Sequence, residues 1–472
     1  MFIECLENNS YKVNTKGGLY YSTTFDANLD VFAATSRFMS ENALKILFDR
    51  AYYENKKLLA ANILYNLDIR NGKGERRIFK IFFKLMCVKD YELAVKILKL
   101  IPSLGRYDYI FESYQTPVWQ DCIQLIQNQL KEDLNSDHPS LLGKWMPSLR
   151  THNKNNVFAK RLAAILGYSE KEYRRMLASL RSKIDVVEKK MSSKKFSEID
   201  FENVPAKALK QYTSTFFKHD EERFNSYLEM VKNGKRKINT KGLAPNELVK
   251  ALFLHNMSEN VIDELWEKQE NYFDSLNSNV LIMADTSVSM YGFNAIPISS
   301  AIGLAIYAAQ RNKGIFHNKF LNFSDMPTFQ VLHGSKLSKI IANLDYSNWD
   351  NSTNIDRAMK LVLKAMKKSK NQEECPSHLV IISDMEFDSS NPTKPNFKYW
   401  QEQFKALGLE MPKIVFWNVA GNIEGIPVTK NEKDVILVSG FSQTIFKSIF
   451  KIKDYNPVSA MQEILKPYLD LL

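Results

Sequence analysis

The run LIMADTSVSM at 281–290 carries an apolar segment up to a carboxylate, Asp285, and sets hydroxyls two and four residues further on, at Ser287 and Ser289. A short apolar run of this kind reads as a buried strand, and its tip then holds three oxygen donors. Two later segments extend the set. NWDNSTN at 348–354 puts Thr353 just ahead of a helical pattern, with Ser352 as the weaker candidate, and IISDMEFD at 381–388 ends another apolar run at Asp384. Two carboxylates and three hydroxyls make an oxygen-only set, which suits Mg²⁺ or another hard divalent cation and suits zinc poorly. Hydroxyl ligands leave charge on the metal uncompensated, so the carboxylate of a protein partner can complete the shell. The bland reading is that these groups cap turns and helix starts.

The elements that would position these residues follow from the pattern. From Asn277 onward, short uniformly apolar runs (NVLIMAD, KFLNFS, TFQVL, HLVIISD, KIVFWNV, DVILVSG) alternate with helical ones. That grammar predicts an open, mainly parallel sheet with helices on both faces over 277–472. Ligands of such sheets sit beyond the C-terminal strand ends, where Asp285 and Asp384 fall. Asp325, after Ser324, stands at another strand end and can border the cleft. Residues 33–276 instead read as helices joined by polar turns. Ser40 is the expected N-cap of the first, and NGKGE at 71–75 is a turn between later ones. Residues 1–32 are polar and read as a poorly defined segment. The predicted class is multidomain, an all-helical array followed by an α/β domain.

The whole chain narrows the options. It has 472 residues, 44% of them hydrophobic, enough for more than one core. Four scattered cysteines contain no CxxC pair, so neither a zinc framework nor a disulfide scaffold is expected. The seven histidines show no HxH or HExxH spacing, GxSxG is absent, and NGKGERR lacks the Walker spacing. A metal-dependent hydrolase would need a nucleophile or general base that the sequence does not point to. The N-terminus does not read as a signal peptide, and no uncharged apolar stretch reaches the length of a membrane span. The expected setting is intracellular, cytoplasmic or nuclear, or inside a virion.

A formal net charge of +11 permits an anionic partner. The basic residues form three groups on the helical part: Arg70, Lys73, Arg76 and Arg77; Arg174, Arg175 and Arg181; and Lys235, Arg236 and Lys237. On one face of a curved array they would form a phosphate track for structured or single-stranded RNA, with Tyr107, Tyr173 and Tyr212 stacking on bases. As solvated helix faces they would leave a pure protein-interaction scaffold.

Asp285, Ser287 and Ser289 match the Asp-x-Ser-x-Ser motif of von Willebrand factor type A domains, with Thr353 and Asp384 resembling the later residues of their metal-ion-dependent adhesion site. The blocks LDIRNGKGERRIF, LGRYDYIF, LLGKWMPS, YRRMLASLRSKIDVVEKKM, VPAKALKQYTSTFFKHDEERFNSYL and PVTKNEKDVILVSGFS resemble the DUF2828 family, found in plants, fungi, microbes and large DNA viruses. Its layout is similar to that of Ro-type ribonucleoproteins, in which a ring of helical repeats, the TROVE module, precedes a von Willebrand A domain. The resemblance implies a metal-dependent interaction module beside a basic helical domain that binds RNA. The Lys- and Asn-rich composition also fits a giant virus.

Overall fold

The computed structural model describes residues 11–14, 17–149, 156–184, 186–274, 279–323, 326–347, 349, 354–390, 394–421 and 425–472. A two-stranded antiparallel hairpin, β1 (Tyr11–Val13) and β2 (Leu19–Tyr21), opens this part of the chain. Among the described residues, twelve helices then precede the large sheet. They are α1 (Ala27–Ala34), α2 (Glu41–Leu67), α3 (Arg76–Lys89), α4 (Tyr91–Leu104), α5 (Trp119–Leu134), α6 (Leu142–Trp145), α7 (Asn156–Ile165), α8 (Glu170–Lys183), α9 (Val187–Ser192), α10 (Ala206–Lys232), α11 (Pro245–Phe253) and α12 (Glu259–Glu267). The remainder runs β3 (Val280–Asp285), α13 (Gly292–Arg311), β4 (Lys319–Phe323), β5 (Thr328–Val331), α14 (Leu337–Ala342), α15 (Ile355–Lys368), β6 (His378–Ser383), α16 (Asn396–Ala406), β7 (Lys413–Asn418), β8 (Val435–Ser439), α17 (Thr444–Ile449) and α18 (Pro457–Leu469). The predicted class, helices followed by an α/β sheet, is the class observed.

Local chemistry sets the helix limits. Ser40 caps α2, its side chain accepting from Ala43 N. The sequence pattern suggests two helices between residues 40 and 70. The structure joins them into α2 with a break at Asn55, whose backbone leaves helical geometry and whose Oδ1 accepts from Leu58 N at 3.1 Å. Asn55 thus acts as an N-cap inside the run, as short amides do. In α8, Ser169 and Glu172 form a reciprocal capping box.

The sheet order is β5-β4-β3-β6-β7-β8, all parallel except the edge strand β5. Counted from β3 this is 3-2-1-4-5-6, the doubly wound order, and its switch point lies between β3 and β6. Strands β3 and β8 are buried at every position, as expected where helices cover both faces. Helix α13 is long and apolar enough to cross a membrane, but it is largely buried in this core.

Residues of the 1–32 segment, read from the sequence as poorly defined, and Ser36 just beyond it fasten the two parts together. Tyr21 N donates to Ile426 O at 2.9 Å, Lys430 N to Thr24 O at 2.9 Å, and Ser36 Oγ to Ala420 O at 2.6 Å. At the other terminus, Tyr468 of α18 donates to Asp68 at the end of α2 (3.1 Å). Helix α11 lies so close to α13 that a Cβ on Gly303 would come within 2.9 Å of the Pro245 backbone. Only glycine permits that approach. The packing also buries polar groups at the seam, and some of them find partners there: Asp263 of α12 accepts from both Ser338 N and Ser338 Oγ.

Candidate functional site

Strand β3 delivers Asp285 to its C-terminal end, and the chain turns at once, with Thr286 N bonding Phe323 O at 3.1 Å. Asp285 Oδ1 accepts from Ser287 N (2.9 Å) and Oδ2 from Ser383 Oγ (2.5 Å). The Ser287 and Ser289 hydroxyls lie 3.2 Å apart. Asp384 follows β6, and its Oδ1 accepts from Glu386 N at 3.0 Å. Asp285 is 0% exposed and Asp384 5%. Burial, and after it the charge of Asp384, pushes the Asp285 carboxyl up to about 7, against the pull of the Ser287 and Ser383 hydrogen bonds.

The structure therefore brings Asp285, Ser287, Ser289 and Asp384 to the switch point. Thr353 and Ser352 lie outside the described residues, as do Ser324 and Asp325. Among the described residues no three His, Cys, Asp or Glu side chains group as a metal site. The donors here are two carboxylates with hydroxyls, a set that fits a hard cation held partly through water. Two carboxylates buried side by side are costly unless a proton or a cation neutralises them.

Sequence reasoning passed over Ser383. It sits one residue before Asp384, and pairing of β3 with β6 sets it beside the Asp285 carboxylate. It also missed the wall of the site. A cleft of about 560 Å³ is lined by Ser289, Asp384 and Glu386 on one side and by Lys12, Tyr20 and Phe38 on the other. Phe293 completes that wall, its ring stacked on Phe38 at 4.1 Å. Phe293, Asn294 and Ala295 all have left-handed backbones, with φ of 51°, 60° and 55°. For L-residues this costs roughly 1–2 kcal/mol each, so the first turn of α13 is strained where it borders the cleft. Hydropathy carries no signal for such a turn.

The basic groups are placed less simply. Lys73 is only 5% exposed, and its Nζ donates to Phe32 O and to Ser439 Oγ. Burial lowers its pKa to about 7. Arg181 donates to Gly143 O, Met146 O and Ser148 Oγ, each at 2.8 Å. Both are committed to the fold, Lys73 because a buried amine must satisfy its donors internally, and half-buried Arg181 through its three bonds to the 143–148 segment. Arg77 donates to Met39 O at 2.6 Å. Arg70 reaches Ser103 O at 3.2 Å, Arg174 pairs with Glu170 at 3.0 Å and Arg236 with Glu202 at 2.9 Å, all at the surface. Arg76, Arg175, Lys235 and Lys237 are exposed. Tyr107 and Tyr173 are core residues, bonded to Gln129 and to Pro147 O, so they do not offer faces to bases. Tyr212 is half-buried.

Comparison with known proteins agrees with the two-part layout. Residues 279–463 match the family model of a domain of unknown function, DUF7788, which spans the sheet and both site carboxylates. Along 96% of its length the chain is 29% identical to an uncharacterized protein of Acanthamoeba polyphaga mimivirus, covering 87% of that protein. Of the blocks that suggested DUF2828, LDIRNGKGERRIF lies outside both matched stretches, and PVTKNEKDVILVSGFS falls in the DUF7788 stretch. The helical residues 107–277 match the family model of a second domain of unknown function, DUF2828.

Proposed function

We propose that this is a non-catalytic binding protein whose α/β part docks a protein partner through a divalent cation. The observation that carries the reading is the burial of Asp285 and Asp384 at adjacent parallel strand ends, with the Ser287 and Ser289 hydroxyls beside them. Asp285, Ser287, Ser289, Asp384 and the predicted Thr353 would hold Mg²⁺ directly or through water. An acidic side chain of the partner would take the remaining position, which hydroxyl ligands leave electrophilic. Calorimetric titration of Mg²⁺ into the full chain tests it: one site is expected in the wild type, and its persistence in Asp285→Ala would refute the assignment. Recovery of a partner that chelation releases tests the docking step.

A second reading, RNA binding by the helical part, draws support from the exposed Arg76, Arg175 and Lys235. It loses support from the inward-facing Lys73 and Arg181 and from the core positions of Tyr107 and Tyr173. Filter binding at rising salt, with Arg174→Glu/Arg175→Glu as control, separates it from a pure scaffold. For a hydrolase, one pair away from the cleft with nucleophile–base chemistry is Ser439 with Lys73, 2.7 Å apart. Both also bond Phe32 O, and Ser439 is 1% exposed, so the pair fastens the junction and does not face a substrate.

A further inference from the structure

A second concavity lies where the helical part meets the sheet, next to the cation cleft and divided from it by Phe38 and Phe441, whose rings are 6.2 Å apart. Its volume is about 340 Å³, and three separate segments build most of it: Ile69–Arg76 after α2, Thr240–Glu247 leading into α11, and Phe441–Lys447 after β8, with Arg37, Lys207, Glu270 and Tyr272 completing the lining. The volume falls at the small end of the range of about 300–1,000 Å³ typical of small-molecule sites.

Its charge is one-sided. Seven basic side chains line it against two acidic ones, Glu247 and Glu270. Some of the cations are already committed: Lys207 pairs with Glu247 at 3.6 Å, and Arg37 with Glu75 at 2.5 Å. Arg76, Lys241 and Lys447 are exposed and make no ion pair or side-chain hydrogen bond among the described residues. Cations gathered in one concavity repel each other and attract anions, and low-dielectric walls strengthen both effects.

The second observation is independent of charge. Asn246, the second residue of α11, lines the same cavity and is 6% exposed, and its Oδ1 has no hydrogen-bond partner. A buried amide oxygen without a donor is costly and rare. A fully ionised phosphate cannot satisfy it, because phosphate oxygens only accept. The cavity therefore asks for two things in one molecule: a phosphate for the cations and an N–H or O–H group for Asn246.

We propose that this junction cavity binds a small phosphate ester that also carries a hydroxyl or amino donor, of the size of a nucleoside or sugar phosphate. The phosphate lies among Arg76, Lys241 and Lys447, and the donor group lies against the Asn246 amide, which turns its Oδ1 toward the cavity to accept from it. Because both parts of the chain contribute lining residues, occupancy stabilises their junction. The inference is independent of the cation site, so Asp285→Ala binds the ester as the wild type does.

Calorimetry on the full chain, with AMP, glucose 6-phosphate and inorganic phosphate as probes, tests it. At least one ester is expected to bind ten or more times tighter than inorganic phosphate, and the tighter of the two names the source. Arg76→Glu and Lys241→Glu change exposed side chains. Each should weaken ester binding at least tenfold with an unchanged melting temperature. Asn246→Leu should weaken the ester and leave inorganic phosphate unaffected. The proposal is overturned if neither ester gives saturable heat at millimolar concentration, if the ester binds no tighter than phosphate, or if Arg76→Glu leaves affinity unchanged. It is equally overturned if Arg76→Glu weakens RNA binding that AMP does not displace, which would give the basic lining to nucleic acid.

Discussion

The cleft at the strand ends and the cavity at the junction have opposite charge and opposite construction. The oxygen donors at the cleft, Asp285, Ser287 and Ser289 from one turn and Asp384 after the neighbouring strand, are set by backbone pairing of β3 with β6, and packing adds only the wall of Lys12, Tyr20 and Phe38 beside them. The cavity gathers cations from three segments that meet only because the helical part packs on the sheet. A site made by strand register is as rigid as the sheet. A site made by packing is as firm as the seam, and that seam depends on a few buried polar contacts such as Lys73 with Phe32 and Ser439. Damage to one should leave the other intact.

The largest separation is expected from Asp285→Ala. Loss of a charged ligand should lower Mg²⁺ affinity by more than roughly 100-fold, beyond the 10–100-fold that loss of an outer-shell partner costs. The junction and the melting curve of the metal-free protein should change little, and calorimetry beside thermal unfolding reads both. Wild-type Mg²⁺ affinity in this variant would remove the cleft from the comparison altogether.

Lys73→Ala strikes the other side. It removes two buried hydrogen bonds and should cost about 2–3 kcal/mol in urea unfolding. The cost should also depend on pH. Burial lowers the folded pKa of Lys73 to about 7, below the roughly 10.4 of an unfolded lysine. Between these values the unfolded chain holds a proton that the folded chain has lost, so the lysine's contribution to stability rises with pH. The difference between wild type and Lys73→Ala should therefore widen from pH 7 to pH 10. A constant difference across that range would mean that the lysine stays charged in the seam.

Ser383→Ala asks whether the cleft needs its support. Ser383 touches Asp285 and not the proposed ligand position, so Mg²⁺ binding should weaken by about 10–100-fold and recover in Ser383→Thr. An unchanged affinity would show that Ser287 alone orients the carboxylate. The smallest effect is expected from Tyr468→Phe, which deletes the hydrogen bond to Asp68 between α18 and α2. It should cost about 1 kcal/mol and leave cation binding unaltered. A shift in Mg²⁺ affinity would show that the seam and the cleft are coupled.

Much of the site was legible because its signals are local. An apolar run ending in Asp-x-Ser-x-Ser names both a strand and its tip, and β6 repeats the pattern at Asp384. Helix starts at Ser40 and Asn354 announce themselves through short polar caps. What escaped is non-local. Lys73 looks like any surface lysine in NGKGERR, and its burial depends on a carbonyl in α1 and a serine in β8. Arg181 reads as one of a basic group with Arg174 and Arg175 and is held by three groups of the 143–148 segment.

By itself, then, the sequence determined the class of fold, the helical and α/β halves, and the oxygen donors at two strand ends. Periodicity and turn chemistry act over a few residues, and a strand's end is also its ligand-bearing end. Tertiary structure alone decided which basic residues face solvent, that Ser383 holds Asp285, that the first described residues fasten the sheet to the helices, and that a cationic cavity forms at the seam. Those outcomes are sums of contacts between segments far apart in the chain, where each residue's own type leaves burial and exposure equally open.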